Sequence, residues 1–264
     1  MIDAHVHLDS HSDEIDSVLD EISKHRILTI SNSMDIPSYE RNIEIGSVCD
    51  FVIPTFGIHP WNAHNHADQL KNLDHYIEQS PMIGEIGLDY YFDKNSAHYP
   101  AQRKVFEYFL QAARDQDKIV NLHTKGAERE VLNLLKQYEI RRAIVHWYSG
   151  PMDVLYEFAG FGAYFTIGVE LAFSDHIKAI AKAVPMDRLL TETDNPGGIK
   201  WLSGKPGMPL AISDVVRELA NVKNTTPETI IKTVDSNLVR FVERECWMPD
   251  RLFPQGHIRS ENRI

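Results

Sequence analysis

Residues 2–7, IDAHVH, decide how the rest of the chain is read. Side chains alternate across a strand, so Asp3, His5 and His7 share one face while Ile2, Ala4 and Val6 take the other. Three ligand-capable groups in a row have two readings. They form an exposed polar edge, or they form a buried set whose polar atoms are satisfied by partners or by a metal ion. The motif alone does not separate the two, so the decision falls to what stands at the other strand ends.

Strand-like runs recur with helical stretches between them. They are IDAHVH (2–7), ILTIS (27–31), FVIPTFG (51–57), MIGEIGL (82–88), IVNLH (119–123), RAIVH (142–146), AYFTIGV (163–169) and RLLTET (188–193). All are short and rich in Ile, Val and Leu, as parallel strands covered on both faces are. Between them, residues 99–116 carry Val105, Phe106, Phe109 and Leu110 at helical spacing. Residues 126–138, 174–184 and 209–222 show the same period. Eight alternating units predict an α/β fold, a single-domain (β/α)8 TIM-type barrel, with a doubly wound open sheet as the alternative. Residues 195–209, NPGGIKWLSGKPGMP, read as a long loop after the eighth strand. The expected division is a barrel over 1–241 and an irregular C-terminal extension over 242–264.

Composition bounds the function. The 264 residues are 43% hydrophobic and 25% charged, enough for one large core. The net charge of −11 argues against a broad basic groove for duplex nucleic acid. It leaves room for a phosphate substrate, because divalent cations dominate the field of a local site. Cys49 and Cys246 lie far apart with no CxxC pattern, which fits a reducing compartment. No apolar run approaches the roughly 18 residues of a membrane span. No basic or apolar leader precedes Asp3, and the expected location is the cytoplasm.

The unusual polar residues stand at strand ends. His5 and His7 end the first run, and His59 follows the third in GIHPW. Glu85 lies in the fourth, His123 ends the fifth, His146 ends the sixth, and Asp194 follows the eighth in TETDNP. In a parallel barrel the carboxyl ends of all strands meet at one face, where active sites form. Residues spread over nearly 200 positions therefore converge. Imidazole and carboxylate donors suit divalent ions such as Zn, Mn, Fe, Mg or Co, and the absence of cysteine at these positions argues against a closed structural zinc site. A carboxylate can bridge two ions, and Glu85 is the central candidate. Asp3 is read as orienting a ligand imidazole. The HNH tripeptide at 64–66 is read as part of a polar loop, not as the nuclease motif of that name.

Seven stretches in order (IDAHVHL, GIHPW, GEIGLDYY, QRKVF, HTKGA, HWYSG and ETDNP) resemble the TatD-like metal-dependent deoxyribonucleases, a branch of the amidohydrolase-like barrels. The resemblance runs from residue 1 to about SNLVRF, ending at Phe241. It implies two divalent metal ions. His5, His7, Glu85 and Asp194 would hold one, and Glu85, His123 and His146 the other. Glu85 and Asp194 would be the catalytic carboxylates, with Asp194 orienting or deprotonating the attacking water. His59 would contact the substrate phosphate. The implied reaction is phosphodiester hydrolysis, acting on single-stranded DNA or short DNA ends.

Three departures from the family pattern fall at substrate-contacting places. Lys125 stands where an Arg is usual, which keeps the charge and loses the planar fork. Phe92 and Asp93 follow GLDYY where an Arg is common, and GKPGMP (204–209) replaces RNEP. Trp61, Tyr90, Tyr91, Trp147 and Trp201 lie beside the strand-end loops and are available either for loop packing or for base stacking. Two rival readings stand beside the nuclease. One is an amidohydrolase-like enzyme on a small amide, lactone or phosphoester. The other is a non-catalytic protein that keeps the barrel and meets a protein partner through its C-terminal tail.

Overall fold

The computed structural model describes residues 1–11 and 14–242. Eight strands run in chain order: β1 (Ile2–Val6), β2 (Leu28–Asn32), β3 (Val52–Thr55), β4 (Ile83–Gly87), β5 (Val120–His123), β6 (Ala143–Val145), β7 (Tyr164–Ile167) and β8 (Leu189–Thr191). The helices α1 (Ile15–His25), α2 (Ile36–Val48), α3 (Asp74–Gln79), α4 (Tyr99–Asp115), α5 (Glu128–Gln137), α6 (Met152–Phe161) and α7 (Asp175–Ala183) follow β1 to β7 in turn. After β8 come α8 (Gly197–Ser203), α9 (Ala211–Val222) and α10 (Pro227–Val242).

All pairing is parallel and sequential, β1–β2–β3 in one run and β4 to β8 in another. Two seams join the runs. At the first, Phe56 bridges Ile83, and Gly84 N donates to Phe56 O at 2.9 Å. At the second, Asp194 N donates to His5 O at 2.9 Å and Thr191 Oγ1 to Ile2 O at 2.6 Å. The architecture is the (β/α)8 barrel expected from the strand and helix alternation.

Local chemistry explains the elements. β1, β2 and β4 are buried at every position, as strands walled by helices outside and by barrel contents inside must be. Asp35 caps α2 by accepting from Ser38 N at 2.9 Å, while Ser38 Oγ accepts from Asp35 N at 2.9 Å. α6 stops at Gly162, whose φ of 112° a residue with a Cβ rarely adopts. Val105, Phe106, Phe109 and Leu110 of α4 are all buried against the sheet. Each such side chain contributes roughly 1.5–3 kcal/mol by leaving water.

One sequence expectation is corrected. The stretch 195–209 is not loop throughout, because α8 occupies Gly197–Ser203. Gly198 serves close packing there: a Cβ on it would lie 2.3 Å from Thr193 O. A residue that reads as a breaker is thus a spacer that seats a short helix on the barrel rim. Most of the proposed C-terminal extension, 243–264, lies outside the described residues, and so does any partner contact through it. Among the described residues no helix is long and apolar enough to cross a membrane.

Candidate metal centre

β4 sits tightly between its neighbours, and glycine makes this feasible. A Cβ on Gly57 would lie 2.3 Å from Glu85 O. One on Gly87, which has φ +150°, would lie 1.9 Å from His123 O. Gly57 lets the segment after β3 close on β4, Gly87 lets β4 close on β5, and the Glu85 side chain enters the barrel mouth among five imidazoles.

The Glu85 carboxylate is buried, and its two oxygens face different groups. Oε2 lies 3.5 Å from His5 Nε2 and 3.4 Å from His7 Nε2. Oε1 lies 2.8 Å from His123 Nδ1, 3.1 Å from His146 Nε2 and 3.6 Å from His59 Nε2. The His5 and His7 Nε2 atoms are 3.3 Å apart. Two donors held about 2.0–2.1 Å from a tetrahedral ion stand roughly 3.4 Å apart, so the His5–His7–Glu85 triangle has the edges of a metal-ligand set. Asp194 Oδ1 adds a further donor 3.3 Å from His7 Nε2 and 3.7 Å from His5 Nε2.

The far nitrogen of each imidazole fixes what its near nitrogen offers. His7 Nδ1 contacts the Asn32 carbonyl at 2.9 Å, which only accepts, so Nδ1 carries the hydrogen and Nε2 a lone pair. His5 Nδ1 contacts Asn121 Oδ1 at 3.1 Å, and the Asn121 amide is oriented by donating Nδ2–H to Ala4 O at 3.0 Å. His123 Nε2 is anchored on Asp89 Oδ2 at 3.0 Å, and His146 Nδ1 on Glu192 Oε2 at 3.3 Å. In the neutral state all four thus turn a lone pair toward Glu85, the arrangement that anchored metal-binding histidines adopt. His59 is the reverse. Its Nδ1 accepts from Trp61 N at 3.2 Å, so its Nε2 presents an N–H to the cluster. Hydrogen-bond polarity separates one donor from four ligand-like acceptors.

The electrostatics follow. Burial opposes ionisation of Glu85, and His59, His146, His5 and His123 outweigh it and hold the carboxyl well below its usual range. Burial also disfavours a charged His146, yet Glu85 and Glu192 push it up to about 10. His7 is raised against burial by Asp194 and Glu85. Burial drives His59 down to about 3; Glu85 resists, and His123 and His7 add to the fall. Protons on His7 and His146 balance the carboxylates in the metal-free chain, and divalent ions in those places would do so with the imidazoles neutral. The donor set fits such ions.

The residues read from the sequence all reach this mouth. The compact donor groups are His5–His7–Glu85, His59–Glu85–His123 and His5–His146–Glu192. His146 stacks on His5 with centroids 3.8 Å apart, while its Nε2 meets Oε1 of Glu85, the same oxygen that His123 contacts. Asp3 does not orient an imidazole. Its carboxylate accepts from Thr193 N at 2.8 Å and Thr193 Oγ1 at 2.6 Å, tying β1 to the end of β8. Asn121 holds the place expected for Asp3. Lys125 is turned into the loop after β6, donating to Trp147 O at 2.6 Å and Ser149 Oγ at 3.0 Å. Asp89 and Glu192 were not singled out from the sequence. A usable signal was their spacing, Asp89 four residues beyond Glu85 and Glu192 two before Asp194.

Asn121→Leu fills the same volume and removes the acceptor for His5 Nδ1–H. Metal affinity is expected to fall about 10–100-fold with the barrel still folded. Metal titration and the ¹⁵N shifts of His5 check this, and unchanged affinity with an unchanged tautomer would count against the anchoring role.

Comparison with known proteins shows the family. The family model described as TatD related DNase matches residues 2–243. An uncharacterised metal-dependent hydrolase of Methanocaldococcus jannaschii is 25% identical over 92% of this chain and 97% of its own length. Human deoxyribonuclease TATDN3 is 26% identical, covering 91% of this chain and 93% of that protein. The crystal structure of the Escherichia coli TatD homologue YjjV matches the fold with a TM-score of 0.83 at 22% identity, covering 91% of this chain and 97% of that one. With a family match across nearly the whole barrel, the chain belongs to the TatD-related DNase family and is a metal-dependent hydrolytic enzyme.

Proposed function

We propose that the chain hydrolyses phosphodiester bonds in single-stranded DNA or at short DNA ends, using two divalent ions that share Glu85. The observation that carries this reading is the division of the Glu85 carboxylate, one oxygen toward His5 and His7 and the other toward His123 and His146. The name of the human relative supports DNA as the polymer. Ions held there would polarise the phosphoryl oxygens and activate the attacking water.

The chain's own groups do the rest. The Asp194 side chain is more open than that of Glu85, 20% against 2% exposed, and it orients the water and accepts its proton. His59 directs its Nε2–H at a non-bridging oxygen, a role for which its neutral state suits it. Lys125 contributes positive charge from the loop side. Phe92 and Asp93 stand where the family often has an Arg, so long-range grip on a polyanion is weak and its salt dependence shallow.

The test is digestion of matched single-stranded and duplex oligonucleotides by metal-loaded protein, with and without chelator. Single strands are expected to be cut faster, chelation to abolish cutting, and Asp194→Asn to be inactive. Faster duplex cleavage would overturn the substrate assignment. Activity persisting after confirmed metal removal would overturn the metal reading.

A further inference from the structure

We propose that two aromatic shelves on opposite sides of the barrel mouth hold the bases that flank the scissile phosphate of a single strand. The proposal rests on the phosphodiesterase reading above and adds what selects the substrate. Among the described residues seven large apolar side chains are exposed, and five of them (Trp61, Tyr91, Phe92, Phe173 and Trp201) lie in segments that follow β3, β4, β7 and β8. That is the face carrying Glu85. Side chains left there only by chance would be spread over both ends of the barrel.

Four of the five fall into two groups, and Phe173 stands apart. Trp61 and Phe92 meet edge to face at 6.3 Å and 81°, and Tyr91 meets Phe92 at 4.8 Å and 87°. Trp201 meets Trp147, which follows β6, at 5.9 Å and 76°. In a ring of eight sequential strands, β3 and β4 stand across from β7 and β8. The shelves therefore flank the strand ends from opposite sides.

Both shelves are pinned. Trp61 Nε1 donates to Asp89 Oδ2 at 2.7 Å, the same oxygen that anchors His123. Trp147 Nε1 donates to Glu170 Oε2 at 2.5 Å, and Trp147 N to Glu192 Oε1 at 3.0 Å. The indole planes are thus registered to the candidate ligands, while Trp61 stays 45% and Trp201 63% exposed. A cation accompanies each group: Lys94 Nζ sits 4.6 Å over Tyr91, and Lys125 Nζ 5.6 Å over Trp147. In a chain of net charge −11, a lysine at each shelf matches a ligand that alternates flat rings with phosphates. Duplex bases stack on one another and offer no free face, and a small phosphoester has no ring to reach both sides.

The test measures equilibrium binding of the metal-loaded protein to phosphorothioate-linked strands of about ten nucleotides, one of thymidines and one abasic, since stacking acts on bases alone. The thymidine strand is expected to bind about tenfold tighter per occupied shelf. Phe92→Ala and Trp201→Ala, both at exposed positions, should each reduce the thymidine-to-abasic ratio by about that factor. A ratio near one in the unmodified protein, a ratio untouched by both substitutions, or duplex binding as tight as single strand would overturn the proposal. Hydrolysis of bis(4-nitrophenyl) phosphate, a diester without bases, is assayed alongside. Its absence would defeat the phosphodiesterase reading while the binding ratio still decides the shelves.

Discussion

Glu85→Gln is expected to lower hydrolysis about a thousandfold or more, the scale of losing several kcal/mol of charge stabilisation, and to deplete both ions together. The side chain is buried, and each of its oxygens serves a separate set of imidazoles. Gln keeps the shape and removes the charge. It also replaces one oxygen with an NH₂ that can donate to a neutral imidazole, so hydrogen bonding in the metal-free site is partly kept while the charge that attracts ions is lost. The fold should therefore survive while metal affinity does not. Elemental analysis of the folded variant, with kcat/KM on a single-stranded substrate, is the measurement. A variant retaining both its metal content and its activity would show that Glu85 is a structural carboxylate and not a bridge. Asn121→Leu supplies the contrast, because among the candidate ligands it acts on His5 alone.

Deleting residues 1–8 is expected to leave no cooperatively folded protein. β1 is buried at all five positions and pairs with β2 in the register Ile2↔Leu28 and Asp3↔Thr29. It also carries the seam that joins the two strand runs. Thr191 Oγ1 donates to Ile2 O, Thr193 donates twice to Asp3, Asn121 Nδ2 donates to Ala4 O, and Asp194 N donates to His5 O. Without β1 these five buried groups lose their partners at about 1–3 kcal/mol each, a total comparable to the roughly 5–15 kcal/mol by which a typical domain is stable. Removing Ile2, Ala4, Val6 and Leu8 takes further apolar contacts from the core. Expression of the truncated chain followed by thermal melting checks this. Soluble protein with a single sharp transition would mean that the barrel closes without β1.

What was legible in the chain follows from what one dimension can carry. A parallel strand walled on both faces must be a short continuous apolar run, so all eight strands could be read off, to within one or two residues at their ends. Closed into a barrel, such units put every strand's carboxyl end on one face. His5, His7, His59, Glu85, His123, His146 and Asp194 could therefore be gathered before any coordinates. α8 was missed because Gly197 and Gly198 signal a loop, whereas Gly198 answers a packing constraint set by Thr193. The tertiary structure alone decided which acceptor each imidazole's far nitrogen meets. Asn121, Asn32, Asp89 and Glu192 turn four lone pairs inward, and Trp61 N turns His59 the other way. It also moved Asp3 from the metal centre to the β1–β8 seam. Residue type and spacing state which groups can bind a metal. Hydrogen-bond direction depends on partners as much as 116 positions away in the chain, and only the closed barrel brings those partners within about 3 Å.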